Sequence, residues 1–180
     1  MRKLKTIEIV RHEVEECKDL PKIPLVLILD DIRSMNNVGS VLRTADAFRL
    51  ESVCLCGITA HPPHPDIHKT ALGAEDSVAW TVSDDPVEEV KRLKSQGYLI
   101  CALELATDSV MLQDVKIEAS DKIALILGNE VFGVKQELID LCDYCFEIPQ
   151  FGVKHSLNVS VATGIAVWQI ASQMLDKLGE

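Results

Sequence analysis

The sequence is short of aromatic residues and of positive charge. Phe, Trp and Tyr make up 4% of its 180 residues, and 18 Lys and Arg stand against 28 Asp and Glu, a formal net charge of -10. Such an acidic surplus argues against indiscriminate binding to nucleic acid or to anionic membranes and leaves room for a local basic patch only. With 9 glycines and 7 prolines the chain is neither collagen-like nor low-complexity, and its 47% hydrophobic content excludes a random coil. No apolar run reaches the roughly 18 residues of a membrane span. The opening MRKLKTIEIVRHEVEEC is charged throughout and lacks the apolar centre of a signal peptide, which predicts a cytoplasmic protein with no membrane partner. In that compartment the 6 cysteines read as reduced thiols. Internal repeats and linkers are absent too, so residues 1–180 are expected to form one domain, with 1–24 as a short helical extension.

Several ligand signatures are also missing. There is no G-x-G-x-x-G, no G-x-x-x-x-G-K-[ST] and no G-x-S-x-G, which counts against a dehydrogenase, a P-loop NTPase and an α/β-hydrolase. Gly128 and Gly133 have the spacing of phosphate-loop glycines, but Val134 stands where the lysine belongs. Cys142 and Cys145 form a single pair with no second pair at zinc-finger spacing, and His61, His64 and His68 lie in the proline-rich HPPHPDIHK, expected to be an irregular loop. Neither offers a rigid, complete ligand set, so no metal is expected.

What is present is alternation. The apolar run 25–29, ending in Asp30 and Asp31, reads as a parallel strand buried on both faces. Further strands are expected at 52–56, 78–82, 98–103, 123–127 and 145–148, with helices at 37–48, 84–95, 135–141 and 156–178. Leu4, Ile7, Val10, Val14 and Cys17 predict another helix in the first 20 residues. Strands alternating with helices define an α/β fold with a mainly parallel sheet flanked by helices. The last helix has little polar surface, which calls for cover on most sides: by the sheet and a second subunit in a homodimer, the favoured reading, or by the monomer alone around a central helix.

In such sheets ligands bind beyond the carboxyl ends of the strands. Three polar clusters lie there. The first runs from Asn36 to Ala45, where Asn37 is expected to cap the helix and Arg43 to lie two turns on, on the same side. The second is LGNEVFG, residues 127–133. The third, IPQFGVKHSLNVSVA at 148–162, holds Lys154 and His155 in a loop and Ser156 and Asn158 at the start of a helix.

Taken together and in this order, the clusters resemble the three motifs of the SpoU/TrmH family of RNA ribose 2′-O-methyltransferases, in the SPOUT class. N-x-G-x-x-x-R-T-A corresponds to Asn37, Gly39, Arg43, Thr44 and Ala45. L-G-N-E-x-x-G corresponds to Leu127, Gly128, Asn129, Glu130 and Gly133. I-P-x-x-G-x-x-x-S-L-N-V-S-V-A corresponds to Ile148, Pro149, Gly152 and the run from Ser156 to Ala162. The similarity extends from about Leu25 to the C-terminus.

The resemblance implies a C-terminal deep trefoil knot, S-adenosyl-L-methionine as cofactor, tRNA or rRNA as substrate, and a homodimer with sites at its interface. By position, Leu127, Gly128, Ile148 and Leu157 would contact the cofactor, with Leu103 and Glu104 at a neighbouring strand end. Arg43, Asn37, Glu130, Ser156 and Asn158 would form the catalytic group. A guanidinium stays protonated, so gripping a phosphate and polarising the hydroxyl suits Arg43 better than acting as a base. Arg33, Arg43, Arg49, Lys69, Lys154 and His155 are expected near the ligand edge, as an RNA-binding surface. Arg49 stands where relatives often have glycine. Many relatives carry a further RNA-binding domain, so substrate choice is expected from the core and the N-terminal helix. The rival readings are a catalytically inactive RNA-binding paralogue and a SPOUT-class base methyltransferase.

Overall fold

Unbroken apolar sequence buries both faces of β1 (Ile23–Asp30), and the rest of the molecule is layered around it. The computed structural model describes residues 1–8, 13–118 and 120–178. Seven strands form one sheet in the order β3-β2-β1-β6-β4-β7-β5: β2 is Leu50–Cys56, β3 Trp80–Ser83, β4 Leu99–Leu103, β5 Val110–Met111, β6 Ile123–Leu127 and β7 Tyr144–Glu147. Every pairing is parallel. Pro24, which reads as a breaker, lies inside β1 at a shift of register between Ile23 and Val26.

Alternation along β1 divides the core. Leu25, Leu27 and Leu29 face a layer that contains α2 (Met35–Ala47), α3 (Pro65–Ala71) and α7 (Val159–Ala171). Val26 and Ile28 face the opposite layer, with Val90 and Leu93 of α5 (Pro86–Ser95) and Leu138 of α6 (Gln136–Ile139). Cys54 and Cys56 are buried on this second side, as expected of core residues.

Some elements differ from expectation, each for a local reason. At the N-terminus the helical content among the described residues is a 3-10 turn at Thr6–Glu8 and α1 (Val14–Asp19). Leu4, Ile7 and Val14 are exposed, so their periodicity serves no buried face, and Val10 lies outside the described residues. The proline-rich HPPHPDIHK is not wholly irregular. His64 caps α3 through Asp66 N, and Pro65 occupies the first turn, where a missing N–H costs nothing. The short α4 (Ala74–Ser77) was not anticipated, nor was β5. The final helix begins at Val159 rather than Ser156, because Asn158 is its cap and accepts a hydrogen bond from Ser160 N at 3.0 Å. It ends at Ala171, and a 3-10 turn covers Leu175–Leu178. Its buried side is Ala166, Val167, Ile170 and Ala171; Val161, Ile165 and Trp168 form a stripe left 52%, 41% and 54% exposed.

Gly39 explains one fixed point of the first cluster. A Cβ there would sit 2.1 Å from Thr70 Oγ1 and 2.3 Å from the Ile67 carbonyl oxygen. The absent side chain lets α2 and α3 touch. Gly39→Ala should therefore lower stability by about 1–3 kcal/mol, the usual cost of overpacking. Urea unfolding would show it as an earlier midpoint; an unchanged midpoint would contradict the contact.

Candidate active site

Loops leaving the carboxyl ends of β4, β6 and β7 enclose a cleft of about 520 Å³. That volume suits a small organic ligand. The residues expected to contact a cofactor, Leu103, Glu104, Leu127, Gly128, Ile148 and Leu157, all line it. So do Glu130, His155, Ser156 and Asn158. Leucine and isoleucine side chains from four segments thus meet polar groups from the second and third clusters in one place.

The loop after β6 is rigid for identifiable reasons. Asn129 and Gly133 exchange backbone hydrogen bonds of 3.1 and 2.9 Å. Asn129 Oδ1 accepts from Val131 N and Phe132 N, and its Nδ2 donates to the Asp31 carbonyl at 2.7 Å. A Cβ on Gly128 would meet the backbone of Gly133 and Val134 at 2.2 Å. Gly133 has φ +69°, and a Cβ on it would lie 2.2 Å from Glu104 Oε2. Glu104 fills that space and accepts from Val134 N at 2.9 Å. Beyond the loop, Lys135 donates to Asp30 at 3.0 Å and pairs with Asp31 at 2.8 Å, tying the start of α6 to the end of β1. Burial pushes the Asp30 carboxyl up, against the pull of Lys135.

Glu130 gathers the first cluster. Its carboxylate accepts from Arg33 N at 2.9 Å, Ser34 N at 3.0 Å and Asn37 Nδ2 at 3.0 Å. Asn37 Oδ1 in turn accepts from Asn158 Nδ2 at 3.1 Å. A polar chain therefore runs from the loop after β6, through α2, to the cap of α7. Burial pushes the Glu130 carboxyl up, but the three N–H donors outweigh it and hold the group below the ordinary carboxylate range. Asn37 is not the helix cap. Ser34 takes that place, accepting from Asn37 N at 3.4 Å, and so leaves the Asn37 side chain free for Glu130.

Two cations are not where the sequence suggested. Arg43 does not lie beside Asn37; it is exposed in a separate shallow depression with Lys69, bordered by Gly164 of α7, and its side chain makes no hydrogen bond among the described residues. Six positions along a helix turn the side chain to another face. Arg49 lies at the opposite end of the sheet from the cleft, just before β2, because α2 runs back along the strands. Its φ of +46° explains why a glycine suits this position. Arg33 and Lys154 are exposed on loops at the cleft end.

Asn129 and Phe132 belong to the cleft but were not among the expected site residues. The pattern Asn-x-x within LGNEVF is the available signal for Asn129, since a short side chain there can accept from amides two and three residues on. The histidines of the proline-rich segment have other partners. His61 stacks on Trp80, His64 caps α3, and His68 pairs with Glu75. Among the described residues no three His, Cys, Asp or Glu side chains are arranged to hold a metal, and no helix is long and apolar enough to cross a membrane.

The parallel sheet and the cleft at its carboxyl edge define an α/β protein with a cavity at the place where such sheets bind ligands. Residues 24–168 match the SpoU rRNA Methylase family, and the chain belongs to that family. It is 29% identical to the 23S rRNA (guanosine-2′-O-)-methyltransferase RlmB of Neisseria meningitidis over 92% of this chain and 65% of that protein. It is 28% identical to the tRNA (guanosine(18)-2′-O)-methyltransferase of Aquifex aeolicus over 85% of this chain and 71% of that one. The chain thus spans slightly less than two thirds of the Neisseria protein's length. Among solved structures it is similar to the A. aeolicus TrmH/SpoU tRNA modifying enzyme (TM-score 0.80, 26% identity, 91% and 83% of the two chains). It is also similar to the AdoMet-bound rRNA methyltransferase of Sinorhizobium meliloti (TM-score 0.79, 26% identity, 88% and 60%).

The Glu130 bonds carry a pH signature. Its carboxyl is held below its unfolded value, so the stability that ionisation confers is present above the ordinary carboxylate pKa and fades as pH falls through the folded one. Glu130→Gln should be less stable than the wild type at neutral pH and approach it in acid. Urea midpoints measured at both pH extremes would check this, and an equal gap at both would contradict it.

Proposed function

We propose that the protein transfers a methyl group from S-adenosyl-L-methionine to a ribose 2′-hydroxyl of tRNA or rRNA, as a cytoplasmic homodimer. The observation that carries this reading is the meeting of Glu130, Ser156 and Asn158 with the apolar side chains Leu103, Ile148 and Leu157 in one cleft of a SpoU-family chain. The relatives from N. meningitidis and A. aeolicus are named as guanosine 2′-O-methyltransferases, and the S. meliloti structure is AdoMet-bound.

The cleft fits that cofactor. Leu103, Leu127, Ile148 and Leu157 offer an apolar wall for a flat base, and the close-packed backbone of Gly128 offers peptide groups where a side chain would intrude. When bound, the cofactor supplies a methyl group on a sulfonium, which the protein needs only to orient. Glu104 holds the loop after β6 and Glu130 holds the start of α2, so the cleft walls are positioned before ligand arrives. The β7–α7 segment closes the cleft against the ends of β4 and β6, in keeping with the trefoil knot of the SPOUT class.

RNA requires cations that the cleft itself has few of. His155 lines it, Arg33 and Lys154 are exposed on loops that adjoin its lining residues in sequence or by hydrogen bond, and Arg43 and Lys69 stand together on the separate depression. We assign Arg43 to the cleft of a second copy. It is exposed and unpartnered among the described residues, it does not line its own cleft, and the exposed apolar stripe of Val161, Ile165 and Trp168 flanks Gly164 at the edge of its depression. Pairing these stripes would cover them and bring one subunit's cations toward the other's site. Arg43 then grips the phosphate beside the target ribose.

The test uses labelled cofactor and bulk tRNA and rRNA from cells that lack the gene. The wild type should yield a labelled alkali-resistant dinucleotide, because a blocked 2′-hydroxyl cannot attack the adjacent phosphate. Arg43→Ala should bind cofactor normally but lose roughly 2.7–4 kcal/mol of transition-state stabilisation. Mixing Arg43→Ala with Asn158→Ala chains should restore activity through heterodimers. Label found only on a base would overturn the ribose assignment. Absence of recovery, with a wild-type mass near 19.9 kDa, would overturn the dimer.

A further inference from the structure

Aromatic rings are scarce in this chain, 4 Phe, 2 Trp and 2 Tyr, and most of them rest against another group. Phe48 lies 5.9 Å from Trp168 between ring centres, Tyr144 stacks on Phe146, and Trp80 stacks on His61. The Tyr98 ring carries Lys122 Nζ at 4.5 Å. Phe132 and Phe151 are left over. Neither ring has a partner among the described residues, and they are 86% and 97% exposed. Of the two, Phe132 lines the cleft and Phe151 does not.

A single exposed phenylalanine is ordinary surface. Phe132 differs in what holds it. Its N donates to Asn129 Oδ1 at 3.1 Å, and the paired backbones of Asn129 and Gly133 close the loop around it. The backbone is thus fixed by its own bonds, and the ring is carried free to the edge of a ligand cleft. Such a ring is pre-organised for a flat group, because little ordering remains to be done when one binds.

The surroundings narrow the choice of flat group. Leu103, Leu127 and Ile148, all less exposed than Phe132, form the apolar wall that suits the cofactor. The loop from Asn129 to Gly133 has no cation, and its one charged side chain is that of Glu130, so this edge repels phosphate. The apolar stripe assigned to a second copy is on α7, at Val161, Ile165 and Trp168. The part of an RNA that is both flat and uncharged is the face of a base.

We propose that Phe132 is a stacking platform for the base of the nucleotide presented to the cleft, a proposal that takes its RNA substrate from the functional reading above. An unstacked base loses its neighbours in the RNA, and the phenyl ring replaces one of them. With the base held on Phe132, its ribose is placed in the cleft that Ser156 and Asn158 line. Every base has a π-face, so the ring fixes where the nucleotide sits and leaves the choice of base to other groups.

The experiment compares the wild type with Phe132→Ala, Phe132→Leu and Phe132→Trp. Methyl transfer to bulk tRNA and rRNA from cells lacking the gene is measured at saturating S-adenosylmethionine with RNA concentration varied. Cofactor affinity by calorimetry, urea midpoint and solution mass are recorded for each chain. Phe132→Ala and Phe132→Leu should lose about 10- to 100-fold in kcat/KM for RNA, the range of one stacked base, with the other three quantities unchanged. Phe132→Trp should keep its activity, and RNA should quench its added indole beyond any change in the wild-type tryptophan signal. Wild-type kcat/KM in Phe132→Ala would overturn the proposal. So would wild-type kcat/KM in Phe132→Leu, which would make the contact apolar packing without stacking. A loss confined to cofactor affinity would place the ring on the cofactor, and a changed mass would place it between copies; either result overturns the proposal. A wild type that transfers no methyl group, with the Phe132→Trp indole still quenched by RNA, would overturn the functional reading and uphold the platform. No transfer and no quenching would overturn both.

Discussion

The Glu130 carboxylate joins parts of the chain that lie far apart in sequence. Its bonds to Arg33 N and Ser34 N span almost 100 residues, and its bond to Asn37 links it onward to Asn158. Charge-assisted hydrogen bonds to one carboxylate are stronger than neutral ones, so the group holds the register among the loop after β6, the start of α2 and the cap of α7. Those are the segments from which the three motifs come. The cleft's shape therefore depends on one acceptor held by two backbone N–H groups and the Asn37 side-chain amide, and a residue used this way has little basicity left for chemistry.

A division of labour follows. The carboxylates and amides of the cleft build it, while its apolar wall of leucines and isoleucine offers the ligand surface. Positive charge stands at the margin, on Arg33 and Lys154, or on the depression that holds Arg43 and Lys69. This arrangement reconciles a net charge of -10 with the proposed RNA substrate. Phosphate contacts position a nucleic acid and need only a few well-placed cations. The remaining acidic surface disfavours indiscriminate binding.

Much of the fold was legible in the sequence. β6 matches its apolar run residue for residue, and β1 was recognisable from the same continuous hydrophobicity, because burial on both faces leaves no polar alternation to confuse. The six residues expected to contact a cofactor line one cleft, since strand ends and motif glycines mark the carboxyl edge of a parallel sheet. Failures came where one residue type has two uses. Prolines read as breakers also start α3, and Ser34 outcompetes Asn37 as a cap because Asn37 has a better partner almost 100 residues away. Arg43 was misplaced relative to Asn37 because spacing alone does not report which helix face meets which neighbour. Arg49 was misplaced because proximity in sequence to Arg43 hides the length of the helix between the two sheet edges.

If Glu130 sets the geometry of the cleft, its effect must be visible at the amides it holds. Hydrogen exchange at Arg33 and Ser34, resolved by NMR, is the most direct measurement. These amides precede α2 and have no helical partner. The account predicts slow exchange at both in the wild type and fast exchange in Glu130→Gln, with the amides of β1 and β6 unchanged. Fast exchange at Arg33 and Ser34 in the wild type, or slow exchange that survives the substitution, would contradict it.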